Sequence, residues 1–252
     1  MTGIELLTHL KSDPKYFTIP VVMISDERDA AKVLYAAEEG VDGFLVKPFS
    51  EQDLINSIRK ALEKYNSKDE IEQKVVEMRR LKLSGNYQEA LKAGFEILDV
   101  KSLPRVLLMT CECLVKLKQY DKALSIMADV DEEDKTSQHA KLLGQIHMNA
   151  GRYAQGILAL EKAVNMNTLN NDLKIDLAVA CFANENIEEA ERVIQSVMNN
   201  RPTDLNMINI ARIYLDRGDI DKAGNYLKLT VDPIKETVQV FNKYAVALRK
   251  LE

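Results

Sequence analysis

Hydrophobic positions near the start of the chain follow a helical spacing and then a strand-like run. Ile4, Leu7 and Leu10 lie three residues apart, which places them on one face of a helix. The segment IPVVMIS at residues 19–25 is apolar and rich in β-branched side chains up to its final serine. Such a run is typical of a strand that is covered on both faces of a parallel sheet. The pattern therefore predicts a helix followed by a buried parallel strand.

The same order of elements continues to residue 66. Apolar residues at helical spacing over 30–37 predict a second helix, and Gly40 ends it. The run GFLV at residues 43–46 predicts a second strand, and Ser50 is the expected cap of a last helix. The apolar face that this last helix should bury consists of Leu54, Ile55, Ile58 and Leu62. Residues 1–66 thus indicate an α/β module whose two strands leave an unpaired edge.

From residue 67 onward, the strand pattern is replaced by an internal repeat. The segments SGNYQEA, LKQYDKA, AGRYAQG, NENIEEA and DRGDIDKA align on one anchor position, and successive anchors are 33, 33, 34 and 33 residues apart. The anchors are Tyr87, Tyr120, Tyr153, Ile187 and Ile220. A small residue follows each anchor at the third position, where it lets two helices approach closely. A period of this length indicates stacked helical hairpins.

This repeat resembles the tetratricopeptide repeat (TPR) family over residues 71–232. Pro202 stands where the family pattern often has a proline between repeats, whereas Met78 is bulky at a position that is usually small. The resemblance implies an all-α TPR superhelix of five hairpins over residues 67–232. Residues 233–252 are expected to form a capping helix or the first half of a sixth repeat.

The resemblance also implies that the first helix of each repeat lines a groove for a protein or peptide partner. A polar stripe on one such helix and an apolar middle section favour an amphipathic helix or an extended segment as the partner. The expected groove residues are Arg79, Lys141, Gln145, Met148, Asn149, Val179, Phe182, Ile208 and Arg212. The clamp that some TPR proteins use for a C-terminal carboxylate cannot be completed from these residues, and we do not predict it.

The first part of the chain, MTGIELLTHL…IPVVMIS…AAEEGVDGFLVKPFS, resembles the second half of the receiver domain of bacterial response regulators. The resemblance implies that Ser25 and Lys47 hold one acyl-phosphate group. It also implies a cis peptide bond before Pro48, and it makes Phe44 the aromatic residue that turns inward in the switch. The expected fold is mostly α, with a truncated, flavodoxin-like α/β receiver module ahead of the TPR superhelix.

The phospho-acceptor Asp and the Mg²⁺-binding acidic pair of that family belong to a segment that would precede Met1. We therefore expect no cofactor in this chain, with Mg²⁺ only in a complete receiver, and no phosphorylation by the usual chemistry. Asp26 is not interpreted as a replacement nucleophile. The favoured explanation is a fragment or late-start gene model of a longer response regulator; a natural short form and a cleaved product are the alternatives. The open strand edge also favours a homodimer through this module.

Composition narrows the remaining function classes. The net charge of −5 argues against a nucleic-acid or membrane surface, and no apolar stretch reaches the roughly 18 residues of a membrane helix. The N-terminus has no signal-peptide pattern, and the three cysteines cannot all pair, which favours reduced thiols in the cytoplasm. There is no phosphate loop, zinc motif or nucleophile elbow, so we predict neither a metal site nor an enzyme.

Two functional hypotheses follow. In the first, the chain is part of a two-component signalling protein in which a receiver module controls a TPR protein-binding output. In the second, it is a phosphate-independent TPR scaffold whose α/β part only caps the repeats. The identity of the partner, the cognate kinase and the oligomeric state do not follow from the residues.

Overall fold

The fold is mostly helical, with a small parallel sheet near the N-terminus. The chain divides into two compact units, residues 1–152 and 153–252. The computed structural model describes residues 3–26, 33, 36–37, 40–65, 69–130, 135–230 and 235–249. Most of the helix predicted over 30–37 lies outside the described residues.

The N-terminal module of the first unit contains the predicted strands and flanking helices. Strands β1 and β2 are parallel, with Val22 opposite Gly43 and Ser25 opposite Val46. Strand β1 spans Val22–Ser25 and β2 spans Gly43–Val46. The flanking helices span Gly3–Ser12 and Glu51–Tyr65.

A buried ion pair holds the first helix of the module against the sheet. The Lys11 ammonium lies 2.7 Å from the Asp42 carboxylate, and the two side chains are only 4% and 0% exposed. Lys11 also donates to the Ile19 carbonyl at 2.9 Å, while the same Asp42 oxygen accepts the Val21 N–H at 2.9 Å. The pair therefore joins the helix Gly3–Ser12 to the segments that precede both strands.

The predicted buried face of the helix Glu51–Tyr65 is wrong at three of its four residues, and only Leu54 is half-buried. Ile55, Ile58 and Leu62 are 39%, 43% and 45% exposed, whereas Ala61 is buried. The helix packs on β1 and β2, where Ser57 lies over Gly43. Among the described residues the sheet has only two short strands, and these are too narrow to cover the whole apolar face.

The repeats of the first unit form a continuous series of helices. We name the two helices of each repeat A and B. Helix 1A packs on 1B, 1B on 2A and 2A on 2B, and the A helices also contact one another from 1A to 2A and from 2A to 3A. The bounds are 1A Glu70–Leu83, 1B Tyr87–Leu98, 2A Pro104–Lys116, 2B Tyr120–Ala128 and 3A Ser137–Asn149.

The second unit is also built from packed helices. Helix 3B packs on 4A, 4A packs on 4B and 5A, and 5A packs on 5B. The final helix contacts both helices of repeat 5, as 2A contacts both helices of repeat 1. The bounds are 3B Tyr153–Met166, 4A Asn171–Ala183, 4B Ile187–Met198, 5A Asp204–Asp216, 5B Ile220–Leu227 and the final helix Lys235–Arg249.

Each anchor of the sequence repeat is the first residue of a B helix. The residue two positions before each anchor has a positive φ, which turns the chain from helix A into helix B. These turn residues are Gly85, Lys118, Gly151, Glu185 and Gly218, with φ values of 82°, 58°, 73°, 62° and 80°. The anchor side chains are not all buried, because Tyr153 and Ile187 are exposed.

Candidate functional site

The candidate phosphate site lies where the two parallel strands end. Ser25 is the last residue of β1, and Lys47 directly follows β2. The Lys47 N–H donates to the Ser25 carbonyl at 2.8 Å, so the two residues are neighbours across the sheet. The Lys47–Pro48 peptide bond is cis, which confirms that expectation. The structure thus brings Ser25, Lys47 and Pro48 to one edge of the sheet, where ligands of parallel sheets bind.

The charge at this edge is carried by an exposed pair. The Lys47 ammonium lies 3.5 Å from the Asp26 carboxylate, and the two side chains are 51% and 83% exposed. Exposed pairs of this kind contribute about 0–1 kcal/mol, so an anion of higher charge can compete with Asp26 for the ammonium. A serine hydroxyl and a lysine ammonium together are suited to binding the oxygens of a tetrahedral anion.

Phe44, the expected switch residue, lies on β2 beside this edge. Its Cα pairs with that of Met23 on β1, and its side chain is half-buried. A half-buried ring next to the strand ends can report on a change at Ser25. Among the described residues, no group of His, Cys, Asp and Glu side chains could hold a metal ion.

The groove residues expected in the first unit divide into two groups. Helix 3A carries Lys141, Gln145 and Met148, which are half-buried, and Asn149, which is exposed. Arg79 on helix 1A instead contacts the N-terminal module, because its guanidinium donates to the Lys11 carbonyl at 3.1 Å.

In the second unit, two of the residues that were expected to line the groove lie in the core instead. Ile208 is completely buried, because the final helix covers it. Phe182 is also buried and packs edge to face on Tyr214, with ring centroids 6.0 Å apart. Both residues are therefore part of the core and cannot line an open groove, whereas Val179 is exposed and Arg212 half-buried.

The N-terminal module is similar to a known domain and to known proteins. Residues 1–59 match the response regulator receiver domain. The Pseudomonas aeruginosa chemotaxis protein CheY is 39% identical over 66 residues, which cover 26% of this chain and 53% of that protein. Vibrio cholerae chemotaxis protein CheY-3 is 36% identical over 64 residues, covering 25% and 49%. The chain thus spans about half the length of these curated relatives.

The repeats match helical-repeat families and solved TPR structures. Residues 83–163 match the family described as anaphase-promoting complex, cyclosome, subunit 3, and residues 147–208 match the tetratricopeptide repeat. A thermophilic TPR protein of Thermus thermophilus superposes with a TM-score of 0.60 at 17% identity, covering 71% of this chain and 99% of that one. Pseudomonas aeruginosa PilF gives 0.52 at 16% identity, covering 79% and 88%. At these identities the likeness shows the fold alone.

Residues 1–59 are thus similar to a receiver domain, and the helices that follow are similar to tetratricopeptide repeats. The module of residues 1–66 is called the receiver segment below. The predicted fold class and the predicted resemblance are both confirmed. In the described part of the chain, no helix is long and apolar enough to cross a membrane.

The thiols of the TPR part belong to its core. Burial raises the pKa of Cys111 to about 12 and that of Cys113 to about 11. Burial also raises the pKa of Cys181. A thiol with a raised pKa is a poor nucleophile at neutral pH, so these cysteines act as small apolar residues.

Sequence reasoning missed the polar contacts that join neighbouring TPR helices. Lys82 of helix 1A pairs with Glu112 of helix 2A. In the second unit, Glu191 accepts hydrogen bonds from Tyr214 at 2.7 Å and from Lys222 at 2.6 Å. Burial, together with the Glu191 contact, raises the pKa of Tyr214. These partners are 23 to 31 residues apart in sequence, and no local pattern identifies them.

Proposed function

We propose that this chain is part of a two-component response regulator in which the receiver segment controls protein binding by the TPR surface. The observation that carries the proposal is the convergence of Ser25 and Lys47 at the carboxyl ends of paired parallel strands. The role is binding and signalling in the cytoplasm, not the conversion of a substrate.

The receiver segment would contribute only part of the phosphate site. Ser25 would donate its hydroxyl to a phosphoryl oxygen, and Lys47 would exchange its weak contact with Asp26 for the same phosphate. The acceptor carboxylate and the acids that hold Mg²⁺ would come from the receiver half that this chain does not match. Phe44 would turn inward as Ser25 moves toward the phosphate.

Each unit would offer an output surface formed by its own A helices. In the first unit, helix 3A offers the half-buried side chains of Lys141, Gln145 and Met148. In the second unit, Val179 and Arg212 occupy the corresponding position of repeats 4 and 5. A mixed polar and apolar surface of this kind suits an amphipathic helix or an extended peptide.

A chimera tests the phosphate site directly. The first half of the Pseudomonas aeruginosa CheY receiver is joined ahead of Met1, and fluorine-labelled phenylalanine reports on Phe44 by ¹⁹F NMR. Beryllofluoride with Mg²⁺ should shift the Phe44 resonance, and Lys47→Ala should remove the shift. Lys60→Ala, which changes an exposed lysine of the helix Glu51–Tyr65, is the matched control.

The phosphate-independent scaffold is the second candidate function. It is favoured by the contact of Arg79 with the receiver segment, because a solenoid needs a cover at its first repeat. A folded chimera whose Phe44 resonance ignores beryllofluoride would overturn the receiver proposal and leave the scaffold.

A homodimer through the receiver segment is a further part of the proposal. The exposed apolar face of Ile55, Ile58 and Leu62 supports it, since such faces commonly mark association sites. Sedimentation analysis should show a dimer that Ile58→Asp dissociates and that the matched exposed change Lys60→Asp does not. A monomer at all concentrations would exclude this arrangement.

A further inference from the structure

We propose that the receiver segment occupies the groove surface of repeat 1 through Arg79 and closes that end of the TPR groove to a partner. The docking contact stands on geometry alone, whereas its regulatory use rests on the proposed function.

The repeat register places Arg79 on the groove side of helix 1A. One position of every A helix recurs with the same spacings of 33, 33, 34 and 33 residues as the anchors. The residues at this position are Arg79, Glu112, Gln145, Val179 and Arg212. In the first unit, helix 2A lies beside both 1A and 3A, so these A helices share one surface. Arg79 is therefore the repeat-1 member of the series that is expected to meet a partner.

Arg79 is engaged by a helix end of the receiver segment. Its guanidinium donates to the carbonyl of Lys11, which lies in the last turn of the helix Gly3–Ser12. Carbonyls in the last turn of a helix have no partner within the helix, and a positive charge is favourable there. Arg79 thus binds as a cation at a helix C-terminus.

An aromatic ring completes the contact. The Arg79 guanidinium carbon lies 5.4 Å from the centroid of the Phe17 ring, which is itself buried. This separation is within the range of cation–π attraction. A guanidinium has both the flat face for the ring and the N–H donors for the carbonyl, so lysine would not replace it fully.

The acceptor of this bond is rigidly connected to the sheet. The side chain of Lys11 is fixed by Asp42 and by the Ile19 carbonyl, while the main-chain carbonyl of the same residue receives Arg79. Lys11 therefore connects the segments that precede β1 and β2 to helix 1A. A rearrangement of the sheet has a direct physical route to the first repeat.

The charged residue at the next groove position also has a partner within the chain. Glu112 of helix 2A pairs with Lys82, one turn beyond Arg79 on helix 1A. The charges of the first two groove positions are thus both engaged internally, by the receiver segment and by repeat 1. A partner that needs either charge has to displace these contacts.

Arginine footprinting of the full chain tests the docking contact. Phenylglyoxal modifies accessible guanidinium groups, and mass spectrometry reports the rate at each arginine. Arg79 should react several-fold more slowly than Arg80, its neighbour, which is 53% exposed and pairs locally with Glu77 at 3.0 Å. Equal rates at Arg79 and Arg80 would overturn the proposal.

A variant separates docking from other causes of protection. Phe17→Leu keeps an apolar side chain but removes the ring, and it should bring the reactivity of Arg79 close to that of Arg80. Hydrogen exchange in β1 and in helix 2A reports whether the module and the repeats stay folded. Should the module unfold while the repeats stay folded, Arg79 should again become reactive. Protection that persists in either case would contradict docking by the receiver segment.

The footprint also distinguishes this inference from the proposed function. It requires neither a partner nor phosphate, so a chimera that fails to respond to beryllofluoride leaves the docking result unaffected. Conversely, an unprotected Arg79 removes the docking contact without affecting the phosphate site at Ser25 and Lys47.

Discussion

Among single residues, a large and a small side chain have exchanged positions in repeat 1 relative to the other four repeats. Met78 is bulky where the other repeats have a small residue, and Gly94 explains how it fits: a Cβ added to Gly94 would lie 2.7 Å from the Met78 methyl carbon. The residues that correspond to Gly94 in the other repeats are all large and buried, namely Met127, Leu160, Ile194 and Leu227. The small–large pair of repeats 2 to 5 is thus inverted in repeat 1.

This exchange predicts strong coupling between the two positions. Gly94→Leu alone should destabilise the first unit by about 1–3 kcal/mol through overpacking, and Met78→Ala alone by about 2–5 kcal/mol through a cavity. The double variant removes the Met78 contact, although the buried Thr110 hydroxyl still lies beside a Cβ added to Gly94. It should therefore lose less stability than the sum of the two single variants. Urea unfolding measures all three, with the exposed change Lys92→Ala as control. Strictly additive losses would contradict the packing account.

His147 predicts a pH dependence of the repeats. Burial is the main cause of its lowered pKa, and the nearby Arg152 adds to it. The unfolded chain therefore binds a proton more readily, and the stabilising contribution is present above the unfolded pKa and lost as pH falls through the folded value. Unfolding of helix 3A, followed by hydrogen exchange, should become easier between about pH 7 and pH 5.

Two histidine variants check this assignment. His147→Gln should flatten the pH dependence of helix 3A, whereas His9→Gln, which changes an exposed histidine, should leave it as it is. Identical pH profiles for the wild type and His147→Gln would exclude the residue as the cause.

At the level of the helices, the conformation of each turn depends on its position in the repeat more than on its residue type. The five turns between A and B helices all use a left-handed residue, although Lys118 and Glu185 replace glycine in two of them. For a residue with a Cβ this conformation costs about 1–2 kcal/mol, and helix packing on both sides maintains it.

Lys118→Gly should therefore stabilise the first unit by about 1 kcal/mol, because glycine adopts the same turn without the steric cost. Lys116→Gly, two residues earlier and still in helix 2A, should destabilise it by a similar amount. Thermal unfolding of both variants measures the difference. A loss of stability in both would show that the turn is not strained.

The ion pair of Lys11 and Asp42 should govern the stability of the N-terminal module. Lys11→Met leaves the Asp42 carboxylate buried without its cation and should cost about 3–5 kcal/mol. Asp42→Asn in the same chain should restore part of the loss, since the amide oxygen can still accept the Val21 N–H. Hydrogen exchange in β1 measures the effect, and Lys15→Met at an exposed position is the control. Unchanged exchange in Lys11→Met would contradict the account.

The limits of sequence prediction also appear at this scale. The period of the repeats predicted the stacked helical hairpins, because it depends on local spacing. The apolar face of Ile55, Ile58 and Leu62 was expected to be buried, yet its burial depends on what packs against it. Helical periodicity identifies such a face but does not supply the neighbouring element.

At the scale of the whole molecule, the sequence predicted the two kinds of fold and the edge that carries Ser25 and Lys47. It placed Ile208 and Phe182 in the groove because they lie on A helices, but packing against the final helix and against Tyr214 buries them. It placed Arg79 there as well, and this position is occupied by the receiver segment. Such outcomes depend on contacts between distant parts of the chain.

In the proposed function, a change at the strand ends of the receiver segment reaches the TPR surface. The most direct measurement is hydrogen exchange of the CheY-extended chimera with and without beryllofluoride and Mg²⁺. Exchange should change in helix 1A as well as in β1 and β2, and it should stay unchanged in the Lys47→Ala variant. A response confined to the receiver segment, with helix 1A unchanged, would contradict it.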